Sequence, residues 1–146
     1  MKLVSKMETF CYHREMKTVA KRLYDGQDLL EEINRFVKDE SIAAGVILSA
    51  VGSLKTSKIR VPVIDGNIKY LTPKHLEIDN LHGTVSINGC HLHISVSDID
   101  GKVTGGHLKE GCIVRTTCEL VIGILKDVSF KRELDENTGF DELVIS

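Results

Sequence analysis

The sequence predicts an α+β fold in a single domain, residues 1–146, with one main helix packed on a mainly antiparallel β-sheet. Three observations indicate this class. Apolar residues recur at helical spacing in one segment, where Leu29, Ile33 and Val37 share a face. Most other segments alternate apolar and polar residues, and Asp–Gly and Asn–Gly pairs separate them, as in sheets connected by tight turns. A chain of 146 residues with 42% apolar and 27% charged residues also suits one globular domain.

The first half of the chain predicts a strand, the helix and a central strand. Partial alternation over residues 16–23 favours the first strand. The helix is expected to begin after Asp28, which with Glu31 resembles a capping box, and to end near Glu40. Residues 44–54 are apolar at both alternating sets of positions, which predicts a central strand that is covered on both sides.

The second half predicts further strands. Residues 58–63 predict a further strand, and Pro62 favours an edge position for it. The strand patterns over 68–71 and 75–78 are short and weak, and a clearer alternation covers 81–87 before the Asn88–Gly89 turn signal. The longest strand candidate is Ile113–Leu125, whose even-numbered positions should face the core. Residues 128–134 are a further strand candidate, and the tail contains a turn and a short final strand candidate.

Three histidines are spaced to meet across one of these turns. His91 and His93 are two residues apart, so on a strand their side chains point to the same face. If residues 99–101 form a three-residue loop with Gly101 in the left-handed conformation, His93 lies directly opposite His107. In that register Gly105 faces Ser95 beside the imidazoles, where the missing side chain leaves room for a bound group. The other face of the hairpin is apolar and is predicted to lie on the core.

Three converging imidazoles predict a metal site. Neutral imidazole suits zinc, and also copper, iron or nickel. Three protein ligands leave a fourth position for water or a ligand, which is typical of catalytic zinc sites, where the pKa of bound water can fall to about 7. Two alternatives stay open: the rings can be merely solvated, and a bulge at Gly105–Gly106 would turn His107 to the other face.

Composition limits the partners and the compartment. The net charge of −2 gives no overall basic footprint for nucleic acid, and no apolar run approaches membrane-spanning length. The first ten residues are too polar for a secretion signal. The four cysteines (Cys11, Cys90, Cys112 and Cys118) form no C-x-x-C pair, and their even number would allow two disulfides. Because nothing in the sequence indicates secretion, we expect reduced thiols and a cytoplasmic protein.

Several motifs together resemble a known family. They are A-G-V-I-L-S-A-V-G-S-L (44–54), H-L-H-I-S-V-S-D-I-D-G-K-V-T-G-G-H-L (91–108) and G-C-I-V-R-T-T-C-E-L-V-I-G (111–123), and they are similar to the PPC domain, the plants and prokaryotes conserved domain. The resemblance covers nearly the whole chain and implies an α/β fold that assembles as a homotrimer. In plant members the domain follows an AT-hook that binds the DNA minor groove. This sequence contains no R-G-R-P-like run, which disfavours direct DNA binding.

The resemblance also bears on the histidines. The H-x-H…G-G-H pattern resembles that of zinc-bearing prokaryotic members of the family, and the matching positions are His91, His93 and His107. The fold implied is similar to that of acetolactate decarboxylase, whose zinc is held by three histidines, although a shared fold is weak warrant for a shared activity.

Glu119 is the candidate catalytic residue. It shares the polar side of its predicted strand with Arg115 and Thr117. If that side adjoins the histidines, Glu119 can act as a general base or as a hydrogen-bond partner of a metal-binding histidine. The alternative is an ion pair between Arg115 and Glu119.

Other polar residues favour structural roles. Lys55, Lys58 and Arg60 form a small basic cluster that can contact phosphate or lie on a solvated face. Asp98 and Asp100 are predicted to bond backbone amides in their turn. The remaining histidines, His13, His75 and His82, lie outside the ligand spacing and are predicted to be surface or sheet residues.

Three functional hypotheses follow. The first is a trimeric, zinc-holding assembly module with DNA-related partners. The second is a zinc-dependent lyase or hydrolase acting on a small carbonyl or carboxylate substrate. The third is a direct DNA-binding regulator, which the charge balance disfavours.

Overall fold

The computed structural model describes residues 15–146, so Cys11 and His13 lie outside the described residues. The elements in chain order are β1 (Met16–Tyr24), α1 (Leu29–Asp39), β2 (Gly45–Thr56), β3 (Ile59–Arg60), β4 (Tyr70–Leu71), β5 (Lys74–Val85), β6 (His91–Ser97), β7 (Val103–Leu108), β8 (Ile113–Leu125), β9 (Phe130–Asp135) and β10 (Phe140–Ile145). Eight strands form one sheet in the order β1-β8-β2-β5-β6-β7-β3-β4, and each neighbouring pair is antiparallel. Strands β9 and β10 form a separate hairpin. The predicted α+β class is confirmed.

The helix begins where its capping residue predicts. Asp28 Oδ1 accepts hydrogen bonds from the backbone N–H groups of Leu30 at 2.9 Å and Glu31 at 3.1 Å, which satisfies two donors that the first turn leaves free. Its other carboxylate oxygen accepts from the Gly111 N–H at 2.6 Å, so the same side chain joins the helix to the loop before β8. The apolar stripe of α1 (Leu29, Ile33 and Val37) is buried in the core that covers one face of the sheet.

Strand β2 is central, but it is covered on one side only within the described chain. Ile47, Ala50 and Leu54 are buried in the core beneath α1. On the other side Leu48 is 45% exposed and Val51 is 55% exposed. The prediction of cover on both faces is therefore wrong for the single chain, because α1 packs on one face of the sheet and leaves this part of the outer face open.

The remaining strands differ from the prediction in length. The strand predicted over 58–63 is reduced to Ile59–Arg60, because Pro62 has no N–H group with which to continue the ladder. The predicted edge position is wrong, since this strand pairs with β7 on one side and with β4 on the other. The two segments predicted over 75–78 and 81–87 are one strand, β5, with a register irregularity between Ile78 and Asn80. Strand β8 has the predicted bounds, and four of its even-numbered residues (Val114, Cys118, Leu120 and Ile122) are buried as predicted. Thr116 is exposed instead, because its φ of +64° and a register irregularity against β2 interrupt the alternation.

Two further observations concern the helix and the cysteines. In residues 15–146, no helix is both long and apolar enough to cross a membrane. Within the same residues, Cys90, Cys112 and Cys118 are free thiols, and the last two are buried.

Candidate metal centre

The β6–β7 hairpin has the predicted register. His93 lies directly opposite His107, and the ladder between the two strands contains no irregularity. The Asp98 N–H donates to the Lys102 carbonyl at 3.1 Å, and Gly101 takes a left-handed conformation with φ +74°. The three-residue loop is therefore confirmed, and the bulge that would have turned His107 away is absent from this hairpin.

Alternation along β6 decides which way the imidazoles point. Leu92, Ile94 and Val96 are 3%, 1% and 0% exposed, so they lie in the core. His91 and His93 occupy the intervening positions and therefore point away from the core, onto the outer face of the sheet. The loop carboxylate helps to hold the hairpin, because Asp98 Oδ1 accepts from the N–H groups of Asp100 and Lys102, each at 2.9 Å.

The three rings converge on a common point. Ring centroids are 5.2 Å apart for His91–His93, 4.7 Å for His91–His107 and 4.3 Å for His93–His107. One nitrogen from each ring lies within 4.8 Å of one from each of the others. Nitrogens bound to tetrahedral zinc are about 3.4 Å apart, given Zn–N bonds of about 2.0–2.1 Å, so small ring rotations bring the set to coordination distance. These three side chains can hold a metal ion.

The surroundings keep these imidazoles neutral. Burial, followed by the charge of Arg60, lowers the pKa of His107 to about 4. Burial lowers the pKa of His91, with Arg132 as the next cause. The pKa of His93 is also lowered, by burial first and by His82 next. A neutral imidazole has a free nitrogen lone pair, which is the form that binds metals.

His82 is a fourth histidine on the outer face of the sheet, and the sequence spacing predicts that it is not a metal ligand. It lies directly opposite His93 on β5, with ring centroids 6.0 Å apart. It is not part of the group of three, and its Nδ1 is 3.1 Å from the Asn80 side-chain nitrogen. Its neighbour Leu81 is 1% exposed, so the alternation of apolar residues in 81–87 already placed His82 on the outer face.

The imidazoles open into a cleft of 920 Å³. Small-molecule sites in proteins span about 300–1,000 Å³. Three basic side chains, Arg60, Lys109 and Arg132, line the cleft, and Asp141 and Glu142 are its acidic lining. The site therefore has the size of a small-molecule pocket, and its lining has one more basic side chain than acidic ones.

The β9–β10 hairpin forms one wall of the cleft and is anchored beside it. The Phe130 carbonyl accepts from Ser86 Oγ at 3.1 Å and from Asn88 Nδ2 at 2.9 Å. Arg132 Nη2 donates to Thr84 Oγ1 at 2.5 Å, and Thr84 is opposite His91 in the sheet. Arg132 and Glu142 could not be predicted as residues of this site, because no local sequence pattern indicates that their hairpin folds against the histidines.

Glu119 lies on the same outer face but in another part of it. It pairs with Val51 of β2 and Arg22 of β1, three strands from β6, which corresponds to about 14 Å at normal strand spacing. It is not among the residues that line the cleft. The alternative ion pair with Arg115 is also absent from the ion pairs of residues 15–146. A catalytic role for Glu119 stays a prediction that our proposed function does not use.

The three residues of the predicted basic cluster, Lys55, Lys58 and Arg60, each have different neighbours. Lys55 forms an ion pair with Asp25 at 2.7 Å, and Lys58 Nζ lies 4.8 Å from the centre of the Tyr70 ring. Arg60 is the member of the cluster that lines the cleft, because it lies directly opposite His107.

Solved structures with this fold come from several prokaryotes. A hypothetical protein from Salmonella cholerae-suis is 36% identical, with a TM-score of 0.84 and coverage of 92% of this chain and 98% of that chain. The metal-containing protein AF0104 from Archaeoglobus fulgidus is 29% identical, with a TM-score of 0.78 and coverage of 93% and 99%. A plant- and prokaryote-conserved (PPC) protein from Pyrococcus horikoshii is 30% identical, with a TM-score of 0.77 and coverage of 88% and 91%.

Sequence comparison identifies the family. The bifunctional protein GlmU of Synechococcus sp. (strain JA-3-3Ab) is 42% identical over 124 residues, which are 85% of this chain. The chain spans only 20% of the length of that relative. A sequence model of the Plants and Prokaryotes Conserved (PCC) domain matches residues 10–126. The chain therefore belongs to the Plants and Prokaryotes Conserved domain family.

Proposed function

We propose that this chain is a metal-binding module that holds one divalent transition metal ion at His91, His93 and His107. The observation that carries the proposal is the convergence of one nitrogen from each ring to within 4.8 Å of the others. The lowered pKa values of all three imidazoles add support, because protons then compete less with the metal. The Archaeoglobus relative, which is a metal-containing protein, is a further support.

Zinc is the metal that we propose first. Three histidines with a fourth position open are a common zinc ligand set, and zinc imposes no electronic preference on the angles between its ligands. The same ligand type also suits copper, nickel and iron, so elemental analysis decides among them.

The proposed assembly is a homotrimer. Its support is an apolar area on the outer face of the sheet, away from the helix. Met16 is 47% exposed, Leu48 is 45% exposed and Val51 is 55% exposed. Gly123 lies beneath this area, because a Cβ placed there would be 2.5 Å from Met16 Sδ and 3.2 Å from Leu48 Cδ1. Met16 and Leu48 therefore both adjoin Gly123, and contiguous exposed apolar patches mark protein interaction sites.

The test compares two histidines that face each other in the sheet. His93→Ala removes one of the three ligands, and we expect the zinc affinity of this variant to fall by more than about a hundredfold. This exceeds the loss that is typical when a residue that only hydrogen-bonds to a metal ligand is removed. His82→Ala removes the neighbouring imidazole that is outside the group, and we expect it to bind one zinc ion per chain. Equal zinc affinity in the two variants would contradict the proposal. Both variants should keep the native mass of the wild type, because neither side chain belongs to the apolar area.

A second candidate function is a zinc-dependent lyase or hydrolase. The observation that favours it is the 920 Å³ cleft into which the imidazoles open. A bound zinc ion would polarise a substrate oxygen or activate a water molecule. Screening metal-loaded protein for hydrolysis and decarboxylation, with His93→Ala as the blank, tests this candidate. Turnover that disappears in the variant would support it, and a negative result across the panel would favour the binding module.

A cytoplasmic location is also part of the proposal. Three free thiols in residues 15–146 support it, because thiols persist in reducing compartments. Fractionation of cells that produce the untagged protein tests this point.

A further inference from the structure

We infer that the cleft binds a small anion, with one carboxylate or phosphate oxygen at the open metal position and the others held by Arg60 and Arg132. This inference rests on the proposed metal site and adds the chemical class of its ligand. The two guanidinium groups are on different elements, β3 and β9, and both line the cleft.

Arg60 flanks the histidines on one side. Strand β3 pairs with β7 so that Arg60 is directly opposite His107, and directly opposite side chains share a face of the sheet. Its charge is among the causes that lower the pKa of each of the three histidines. Arg60 forms no ion pair with any residue of 15–146, so its fork of N–H donors is available to a ligand.

A glycine allows β3 to lie this close. Gly106 precedes His107 and has φ +155°, and a Cβ placed there would be 2.5 Å from the Arg60 carbonyl oxygen. A side chain at this position would push the Arg60 backbone away from β7. The absence of one lets Arg60 pair with His107.

Arg132 flanks the histidines on the other side. The sheet order β5-β6-β7-β3 places Thr84 next to His91 at one side and Arg60 next to His107 at the other. Arg132 Nη2 is held by Thr84 Oγ1 at 2.5 Å, and no ion pair in the described part of the chain involves this guanidinium. One of its five N–H donors is used in this contact, which leaves the others for a ligand. The Thr84 contact therefore orients Arg132 without neutralising it.

The charge balance of the cleft favours an anion. Three basic side chains and two acidic ones line it, and three neutral imidazoles would leave the charge of a divalent ion unbalanced. A carboxylate or phosphate would neutralise part of this excess, and guanidinium groups bind both through paired hydrogen bonds. The 920 Å³ volume and the net chain charge of −2 favour a small molecule over a nucleic acid.

The test uses cobalt(II) in place of zinc, because its visible absorption reports what occupies the open position. Cobalt-loaded protein is titrated with inorganic phosphate and, separately, with succinate, and binding is followed by the absorption change and by calorimetry. We expect at least one of the two anions to bind and to change the spectrum. Arg60→Gln and Arg132→Gln should each weaken that anion at least about tenfold while the protein still binds one cobalt ion per chain.

Lys102→Gln is the matched control, because it removes one positive charge from the exposed β6–β7 turn, outside the cleft lining. It should leave anion affinity within about twofold of wild type. Arg60→Gln decides the test if Arg132→Gln loosens the β9–β10 hairpin, because the Arg60 side chain makes no hydrogen bond within residues 15–146.

The outcomes separate this inference from the proposed function. If wild-type protein binds no cobalt, the metal site itself is wrong. If cobalt binds but neither anion does, or if both arginine variants bind the anions as tightly as wild type, the anion inference is overturned and the metal site stands. Binding of duplex DNA, tested in parallel, without binding of either small anion would also overturn it.

Discussion

At the residue scale, the roles of the histidines follow from strand position more than from residue type. The convergence of His91, His93 and His107 could be predicted from alternation and one turn signal, since both are local properties of the chain. The charged residues that surround these histidines could not be predicted in this way. Arg60 and Arg132 reach the site through strand pairing and hairpin packing that no local pattern specifies. Glu119 shows the converse limit, because it shares the outer face with the histidines but two strands, β2 and β5, lie between its strand β8 and β6.

The lowered pKa of His107 predicts that metal-free protein loses stability in mild acid. In the unfolded chain this imidazole takes up a proton near its ordinary pKa of 6.5, whereas in the folded chain it does so only at about 4. Between these values the unfolded state binds more protons, so the contribution of His107 to the free energy of unfolding is complete above pH 6.5 and declines as the pH falls toward 4.

Urea unfolding of chelator-treated protein at several pH values checks this. His107→Asn removes the titrating ring, so its stability should fall less between about pH 6.5 and 4 than that of wild type. Parallel pH profiles for the two proteins would show that His107 is not held in its neutral form by the fold.

At the element scale, two hairpins build the site, and the sequence specified them to different extents. The β6–β7 hairpin carries its own register in the Asp98–Gly101 turn, so its partner positions were predictable. The β9–β10 hairpin has no such local signal for its position, which depends on the Phe130 carbonyl and its contacts with Ser86 and Asn88. The apolar pattern of β2 predicts its central position in the sheet, but such a pattern does not indicate whether a second chain covers the open face.

The close approach of β3 to β7 predicts a large effect of Gly106→Ala. The new methyl group would meet the Arg60 carbonyl oxygen at 2.5 Å, at a φ of +155° that side chains rarely adopt. We expect the free energy of unfolding to fall by about 2 kcal/mol or more.

Gly66→Ala is the control for the cost of placing alanine at a positive φ without a steric contact. Gly66 also has a positive φ, +73°, but no atom lies within 4 Å of its added Cβ, so we expect a loss of about 1 kcal/mol. Denaturant unfolding of both variants gives the comparison, and equal losses would rule out a steric role for the β3 contact.

At the scale of the whole molecule, the outer face of the sheet is partly uncovered in a single chain. An apolar central strand is normally covered on both sides, and here one side remains open beside Gly123. The homotrimer is expected from the family resemblance and not from any pattern in the chain. An apolar pattern predicts that side chains are buried, but it does not indicate whether the same chain or a second one covers them. The exposed apolar residues of β1 and β2 now give that expectation a location that mutation can test.

Val51→Asp tests the proposed assembly. Val51 is 55% exposed in the single chain, and a carboxylate there would be buried without a partner if this area is an interface. Light scattering coupled to size exclusion should give three chain masses for wild type and a lower mass for the variant. Leu134→Asp places the same charge on an apolar residue of the β9–β10 hairpin that is 66% exposed, and it should stay trimeric. An unchanged mass for Val51→Asp would exclude this area as the interface.

The central claim is that three imidazoles of one hairpin hold a metal ion. The most direct measurement is the metal content of protein produced without a histidine tag and equilibrated with zinc, determined by elemental analysis for wild type and for a variant in which His91, His93 and His107 are all alanine. The account predicts one bound ion per chain in the wild type and none in the variant. Metal-free wild type, or a variant that binds as much metal as the wild type, would contradict it.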